Sequence, residues 1–271
     1  MKKYFSIFFF AAVIFLLYIG CEKNEINLGG DSKVVDNSVA QLKVNYASLY
    51  ANNRIVVIDI NGTRVSPGIY GRTPFPGGGL NTYGTNYPMF FTVEPGENEV
   101  AIAMPYAQDS LHAGADSTVL FSTKVTLEAG KTYTLHISDT STVTKTLLTE
   151  EDLTKADSGY NRYRVANLMP NVEAIDVYYG KSLTNVSSDT LIAGNIGYNT
   201  IGDYITLPIS IGSRYWKVRV AGSSILSTNV LASYISTATY VNSRTFTIFA
   251  LGYNGLTTAP RRPYISFLYI Q

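Results

Sequence analysis

Acidic side chains are the first place to look for chemistry in this chain. Asp176 stands in the stretch "AIDVYYG", among alternating apolar and aromatic residues, and Asp59 stands in the comparable stretch "VVIDING". Aspartate is depleted in β-strands, so its occurrence twice in this setting requires a reason. Either side chain could contact a ligand or a metal, or it could accept hydrogen bonds that fix a neighbouring turn. Because both stretches carry the acid at the same place, we expect the structural role.

The two histidines and the scattered acids lack the spacing of a catalytic or metal site. His136 in "TYTLHISD" is out of phase with the apolar residues of its run, which predicts a solvent-facing strand position, and His112 lies in a predicted loop. Neither has a second histidine or a cysteine at zinc-ligand spacing. Asp109 and Asp116 could offer oxygen ligands to calcium, but their spacing fits no known calcium loop. The sequence also lacks a nucleophile elbow and a phosphate-binding loop. We therefore expect no catalytic residues, no metal, no cofactor and no enzyme activity.

Paired acids, which a glycan-cleaving enzyme would need, occur in two places. Glu94, Glu97 and Glu99 flank a predicted hairpin turn, "VEPGENEV", where charges normally face water. Glu150 and Glu151 open a predicted short helix, "TEEDLTKADSG", where acids favour the positive end of the helix dipole. An enzyme would require two acids facing one cleft about 5–10 Å apart. A glycan-acting enzyme is therefore the less favoured hypothesis.

Tyrosines in glycine-rich segments are the best candidates for ligand binding. The chain has 21 tyrosines, although only 15% of its residues are charged. Tyr70, Tyr83 and Tyr87 fall in the long Gly- and Pro-containing segment 62–88, and Tyr198 falls in a second such loop. Exposed tyrosines offer rigid, amphipathic contact area for a sugar or a protein. Long loops are often functional, so segment 62–88 is the favoured binding surface. The alternative is that these tyrosines pack over the open ends of the folded domains.

The amino terminus has the pattern of a targeting segment. Two lysines precede an apolar run, Phe5–Ile19, which is short for a spanning helix and ends at a glycine. The stretch "LLYIGC" resembles a bacterial lipobox, which implies that residues 1–20 are a signal peptide and that Cys21 carries lipid. Several acyl chains would hold the protein stably on a membrane. Residues 21–40 are polar and aperiodic, which predicts a flexible tether. The alternative is an uncleaved membrane anchor.

Charge and cysteine content limit where the protein could be located and which partners it could bind. Removing the signal peptide leaves 19 Lys and Arg against 20 acids, which argues against a nucleic-acid partner. Cys21 is the only cysteine, so an exported protein would have no disulfides. The acidic stretch "EKNE" after it resembles the export signal of Gram-negative outer-membrane lipoproteins. We expect a surface-exposed or otherwise periplasm-facing lipoprotein.

Matching stretches predict a duplicated domain. Asp59 aligns with Asp176, and Tyr133 in "GKTYTLHI" aligns with Phe246 in "NSRTFTIFA", in the same order and at nearly the same offset. Alternating β-branched and aromatic residues predict strands, and two such runs around Gly130 predict a hairpin. Many short strands of this kind predict two tandem, all-β, antiparallel sandwiches. The predicted boundaries are domain one at 41–148, a linker with a short helix at 149–162, and domain two at 163–271.

The second half resembles a known family. The stretches "RVANLMPNVEAIDVYYG", "LIAGNIGYNTIGDYITLP", "VRVAG" and "YVNSRTFTIFALG" follow the order of the DUF4397 lipoprotein domains, a family of unknown function. The first half departs more, with "YASLYANNR" in place of the Pro turn. The resemblance implies an extracytoplasmic, immunoglobulin-like β-sandwich that is often repeated in one lipoprotein, and it implies no established activity. The leading hypothesis is a lipid-anchored envelope protein whose two non-enzymatic modules bind a glycan or a partner protein. A purely structural spacer of the envelope is the alternative.

Overall fold

The computed structural model describes residues 37–48, 56–66, 68–69, 90–104, 118–138, 143–209, 214–235, 242–258 and 261–271. Within these ranges the chain forms β-strands and one short 3-10 helix, Ser227–Asn229. The strands are β1 Ala40–Tyr46, β2 Val57–Ile60, β3 Thr63–Arg64, β4 Phe91–Val93, β5 Gly96–Met104, β6 Thr118–Leu127, β7 Thr132–Ser138, β8 Lys145–Glu150, β9 Tyr160–Leu168, β10 Ala174–Gly180, β11 Thr190–Gly197, β12 Thr200–Ile201, β13 Ile205–Pro208, β14 Tyr215–Val220, β15 Ala232–Ile235, β16 Thr245–Leu251 and β17 Tyr264–Tyr269. In this part of the chain, no helix is long and apolar enough to cross a membrane.

Strands β1 to β8 form the first sandwich. The sheet that faces the second sandwich, called the inner sheet, has the order β4-β1-β7-β8. The sheet on the far side of the core, called the outer sheet, has the order β3-β2-β5-β6. Alternate residues of each strand point into one apolar cluster between the sheets, which includes Leu42 and Leu135 from the inner sheet and Ile58 and Ile102 from the outer sheet. The period-two pattern of the sequence therefore builds this core.

Strands β9 to β17 form the second sandwich. Its inner sheet is β12-β9-β16-β17, with β13 also paired to β9, and its outer sheet is β11-β10-β14-β15. The core is centred on Trp216, whose ring centroid lies 5.0 Å from that of Tyr163, 4.8 Å from that of Tyr179 and 5.5 Å from that of Phe267. Aromatic rings at these distances add pairwise stabilisation beyond their burial.

The two sandwiches repeat the same pairing pattern. In the first, β1 runs parallel to β7, and β8 then pairs antiparallel to β7. In the second, β9 runs parallel to β16, and β17 pairs antiparallel to β16. The other sheet pairings are antiparallel. The predicted all-β sandwich class is confirmed, with one parallel pair in each sandwich as an unpredicted detail.

The two inner sheets pack against each other. The central strands of each inner sheet are therefore covered on one face by their own core and on the other face by the opposite sandwich. All seven residues of β7 and of β16 are buried. A third apolar cluster fills part of this interface, with Ala47, the residue after β1, lying among Leu168, Phe249 and Leu268 of the second sandwich. We call this interface the seam. Residues from Val35 onward accordingly form one compact unit.

Two predicted hairpins are wrong. The turn around Gly130 joins β6 of the outer sheet to β7 of the inner sheet, and the turn before Gly96 joins β4 of the inner sheet to β5 of the outer sheet. Both glycines have positive φ, 75° and 109°, as tight turns require. The turn residues were identified correctly, but each turn carries the chain across the core instead of back along the same sheet.

The helix predicted between the domains is also wrong. Strand β8 continues to Glu150 in register with β7, and the chain is irregular from Glu151 until β9 begins at Tyr160. The acids that could have capped a helix are used differently, because Glu151 pairs with Arg164 and Asp152 pairs with Arg162. Sheet pairing and these ion pairs outweigh the local helical pattern.

Candidate functional site

A fully buried group of ionisable side chains lies on the outward face of the second outer sheet. Asp189 Oδ1 accepts a hydrogen bond from Lys217 Nζ at 2.6 Å, and Asp189 Oδ2 accepts one from Arg219 Nη2 at 2.6 Å. All three side chains are 0% exposed. We call this group the Asp189 cluster. Charges this deeply buried persist only when paired and hydrogen-bonded.

Local sequence explains how the cluster forms. On β14, Trp216 and Val218 point into the core, so the intervening Lys217 and Arg219 point outward. The segment between β10 and β11 folds back over this face and delivers Asp189. Gly180 allows the approach, because a Cβ there would lie 2.0 Å from Asp189 Oδ1. Only glycine fits this position without displacing the carboxylate.

Arg219 ties a second segment to the same face. Its guanidinium lies 4.6 Å from the ring centroid of Tyr178, and its Nε donates to the carbonyl oxygen of Leu226 at 3.5 Å. The cluster thus connects the segment before β11, the segment after β14 and the sheet beneath them. Its effect is to hold two connecting segments in one arrangement.

Asp176 lies beside this cluster and has the structural role expected from its sequence. Its Oδ1 accepts the backbone N–H of Asn195 at 2.8 Å, and its Oδ2 accepts the backbone N–H of Gly222 at 2.9 Å. Each oxygen therefore fixes a neighbouring piece of backbone. Asp59 behaves differently, because its Oδ1 lies 3.7 Å from Arg64 Nε at a partly exposed site.

These geometries leave the buried acids committed to the fold. Both oxygens of Asp176 and both oxygens of Asp189 already accept hydrogen bonds, so neither carboxylate is placed as a free base or nucleophile. Among the described residues, no group of three or more His, Cys, Asp or Glu could hold a metal ion. The contacts of Asp176 and Asp189 therefore stabilise the connecting segments around them.

A second polar group lies at the edge of the seam. Arg164 on β9 pairs with Glu151 at 2.5 Å and also donates to Thr149 Oγ1 at 3.1 Å and to the carbonyl oxygen of Glu150 at 3.2 Å. Tyr204 donates its hydroxyl to Glu151 at 3.0 Å. Burial and the Glu151 charge raise the pKa of Tyr204 to about 12, so its hydroxyl remains a donor at neutral pH. These contacts join the second sandwich to the end of β8.

Lys43 and His136 lie inside the seam. Lys43 is 1% exposed; its Nζ donates to the carbonyl oxygen of Tyr269 at 2.6 Å and lies 3.8 Å from the ring centroid of Phe90. Burial lowers the pKa of Lys43 to about 7, although Glu151 acts in the opposite direction.

The predicted solvent-facing position of His136 is wrong. The residue is 0% exposed, because the second inner sheet covers the face of β7 that would otherwise meet water. Asn45 Nδ2 donates to its Nδ1 at 2.9 Å. Burial, together with the charge of Arg164, lowers the pKa of His136 to about 3, so the ring is neutral at physiological pH.

Of the residues predicted to bind a ligand, only Tyr198 belongs to the described part of the chain. It is half-buried in the turn after β11, where its backbone N–H donates to the carbonyl oxygen of Glu173 at 2.7 Å. The adjacent Asn199 has a φ of 56°, and its Nδ2 donates to the carbonyl oxygen of Thr146 in the first sandwich at 3.0 Å. Tyr198 therefore sits in a braced turn beside the seam.

The remaining predicted site residues have no structural test. Tyr70, Tyr83 and Tyr87 lie outside the described residues, as does Cys21. His112, Asp109 and Asp116 also fall outside them.

Sequence reasoning missed the buried cations. Their signal is a basic residue between apolar neighbours on a strand, as in "LKVNY" for Lys43, "YRV" for Arg164 and "YWKVRV" for Lys217 and Arg219. An alternating strand with one solvated face would place these side chains in water. They are buried because the second face of each strand is also covered.

The fold defines an all-β protein of stacked sandwiches in which ionisable groups support the structure. The family model for a domain of unknown function, DUF4397, matches residues 40–178, about half of the chain. The chain belongs to the DUF4397 family. The matched range covers the first sandwich, β9 and most of β10, whereas the resemblance noted from sequence lay in the second half. No curated protein matches this chain.

Several solved structures are weakly similar. One is described as "Alpha-glucan binding by a streptococcal virulence factor", with 12% identity and a TM-score of 0.26; the match covers 85% of this chain and 97% of that one. The Bacillus anthracis TIE protein has 12% identity and a TM-score of 0.20, covering 68% of this chain and 28% of that one. A leucine-rich repeat protein from Bacteroides thetaiotaomicron has 13% identity and a TM-score of 0.20, covering 73% and 24%. Superpositions this loose carry no functional argument.

Proposed function

We propose that this protein is a lipid-anchored envelope protein with two tandem, non-enzymatic β-sandwich modules that bind a glycan or a partner protein. The observation that carries the proposal is that the buried ionisable groups hold parts of the fold together. The Asp189 cluster, Asp176 and the Arg164–Glu151 pair all fasten backbone segments or sheets together. This usage supports a presenting scaffold rather than a catalytic centre.

The seam supports the same proposal because it joins the modules into one body. The Lys43 contact to Tyr269 and the Asn199 contact to Thr146 cross it in opposite directions. Modules held in fixed relative positions lose little conformational freedom when they bind, so their loops are pre-organised for a partner. The tyrosine-rich segment 62–88 and the braced turn at Tyr198 are the proposed contact regions.

Anchoring is the second half of the proposal. The lipobox-like stretch ending at Cys21 and the tether up to residue 40 would suspend the sandwiches from a membrane. The acidic residues after the cysteine favour the Gram-negative outer membrane, with the modules exposed on the surface or else facing the periplasm. A spacer role is the competing function, and the fused modules suit it equally well because a spacer must be stiff.

Binding is tested by thermal shift of the purified chain against polysaccharides, including α-glucans, and envelope glycans. A ligand at about a hundred times its dissociation constant adds roughly 2.7 kcal/mol to stability. For a unit of this size that is a rise in Tm of about 5–11 °C. The shift should be lost when Tyr83 and Tyr87 become alanine and should survive Tyr160→Ala, a control at an exposed tyrosine of β9.

The outcomes separate the hypotheses. A shift that survives the Tyr83 and Tyr87 substitutions would place the site elsewhere. No shift with any glycan, followed by crosslinking in intact cells that captures one specific envelope protein, would assign the protein-binding role. No shift and no specific crosslink would favour the spacer.

The lipid anchor has its own test. Cys21→Ala should move the protein from the membrane fraction to the soluble fraction of cells, because the acyl chains would be missing. A control substitution in the tether, Asn24→Ala, should leave it in the membrane. If the Cys21→Ala protein stays fully membrane-bound, lipidation at this residue is refuted.

A further inference from the structure

The seam has a local two-fold character that relates its two basic residues. Lys43 pairs in register with Thr134 on the parallel β1–β7 ladder, and Arg164 pairs with Thr247 on the parallel β9–β16 ladder. Lys43 and Arg164 therefore occupy the same position in their respective sandwiches. Both point away from their own core and towards the opposite sandwich.

The contacts of these two residues are reciprocal. Arg164 Nη1 donates to the carbonyl oxygen of Glu150, the last residue of β8 in the first sandwich. Lys43 Nζ donates to the carbonyl oxygen of Tyr269, the last residue of β17 in the second sandwich. Glu150 pairs with Tyr133 and Tyr269 pairs with Phe246, so the two acceptors are also equivalent. Each sandwich thus sends one cation to the end of the other's final strand.

The symmetry fails at the next residue, where the acid is present on one side only. After Glu150 comes Glu151, which neutralises Arg164 at 2.5 Å. After Tyr269 comes Ile270, which is buried in the apolar cluster of the seam. Within the described residues, Lys43 has no ion pair within 4.0 Å. The Lys43 half of the seam therefore holds a buried amine whose contacts are a carbonyl oxygen and the ring of Phe90.

His136 is a second asymmetric feature on the same side. Its register equivalent is Phe249, since these residues stand three positions after Tyr133 and Phe246 on the matching strands. Because Asn45 donates to Nδ1, the neutral ring carries its proton on Nε2, which has no partner among the described residues. Protonating Nδ1 would break the Asn45 bond and place another cation near Arg164.

Among the described residues, basic groups outnumber carboxylates at this part of the seam. The titratable and charged side chains here are Lys43 on β1, His136 on β7, Glu151 after β8, Arg162 and Arg164 on β9, Tyr204 before β13, Tyr253 after β16, and Tyr264 on β17 with Arg262 over its ring. Glu151 is the acid among them, and Asp152 neutralises Arg162 at the margin. We propose that the seam is an acid-sensitive joint: the two sandwiches are locked together at neutral pH and separate, each still folded, when His136 gains a proton.

The direction of the pH dependence follows from both bases. Burial depresses the pKa of His136 from 6.5 to about 3, so the closed seam loses stability as pH falls from about 6.5 towards 3. Burial depresses the pKa of Lys43 from 10.5 to about 7, so the closed seam gains stability as pH rises from 7 towards 10.5. The joint does not depend on what the loops bind.

The test is small-angle X-ray scattering of the intact purified protein from pH 7.5 down to pH 3.5, with Trp216 fluorescence recorded alongside. Trp216 is the single tryptophan and lies in the second core, so its emission reports whether that sandwich stays folded. The radius of gyration should rise below about pH 6 while the emission wavelength stays constant. His136→Phe, which copies the residue at position 249, should lower the pH midpoint of the rise by about one unit or more.

Three results would overturn the proposal. A radius of gyration that stays constant over this range would show that the seam does not open. A rise that coincides with a red shift of Trp216 emission, or one that His136→Phe leaves at the same pH, would mean general acid unfolding rather than a joint controlled by His136.

Discussion

Replacing Asp189 by asparagine is the sharpest perturbation of the buried polar network. The amide has nearly the shape of the carboxylate but no charge, so Lys217 and Arg219 would lose the anion that each contacts at 2.6 Å. All three side chains are 0% exposed, so water does not screen the loss. Removing one partner of a buried ion pair costs about 3–5 kcal/mol. At roughly 2–4 °C per kcal/mol for a unit of this size, Tm should fall by about 6–20 °C.

The assay is urea unfolding followed by Trp216 fluorescence, which reports the same sandwich. Asp203→Asn, at an exposed acid of that sandwich, is the matched control and should change the free energy of unfolding by less than about 0.5 kcal/mol. Adding Lys217→Met to Asp189→Asn should recover part of the loss, because it removes one of the stranded cations. If Asp189→Asn alone costs under about 1 kcal/mol, the cluster does not support the fold as described.

Four further substitutions probe other parts of the structure. Asp176→Asn should cost about 1–3 kcal/mol in urea unfolding, since its Nδ2 would face a backbone N–H, and Asp59→Asn should cost less because its ion pair is longer and partly exposed; equal losses would contradict this ranking. Arg164→Met should cost about 3–5 kcal/mol by the same measurement, because it leaves Glu151 buried without its cation, and a neutral effect would show that this pair is dispensable. Trp216→Ala should cost about 3–5 kcal/mol by calorimetry, and a loss below about 1 kcal/mol would mean that the second core is loosely packed.

Strands and cores were predictable because alternation of side chains is a local property. The runs around Asp59 and Asp176 form β2 and β10, and the structural role of Asp176 follows from an acid in a strand needing donors. The turn at Gly130 was also predictable from sequence. The sequence did not predict which sheet the strand after the turn would join, because a hairpin and a crossing between sheets use similar turn residues.

The surroundings of His136, Lys43 and Arg164 could not be read from alternation. That pattern separates two faces of a strand but does not say whether the second face meets water or another sheet. Here the second face of β7 meets the opposite inner sheet, so a residue expected in solvent is fully buried. The helix expected at Glu150 failed for a related reason, because pairing of β8 with β7 is a contact distant in sequence.

Hydrogen exchange of the backbone amides at neutral pH tests the shared seam most directly. Amides of β1, β7, β9 and β16 should be among the slowest in the protein and should exchange at similar rates, because these strands are central in their sheets and covered on both faces. The outer-sheet strands β2 and β5 of the first sandwich, which carry half-buried or exposed side chains, should exchange faster. If β1 and β7 instead exchange no more slowly than β2 and β5, the two sandwiches do not share a stable buried interface, and the fused scaffold is contradicted.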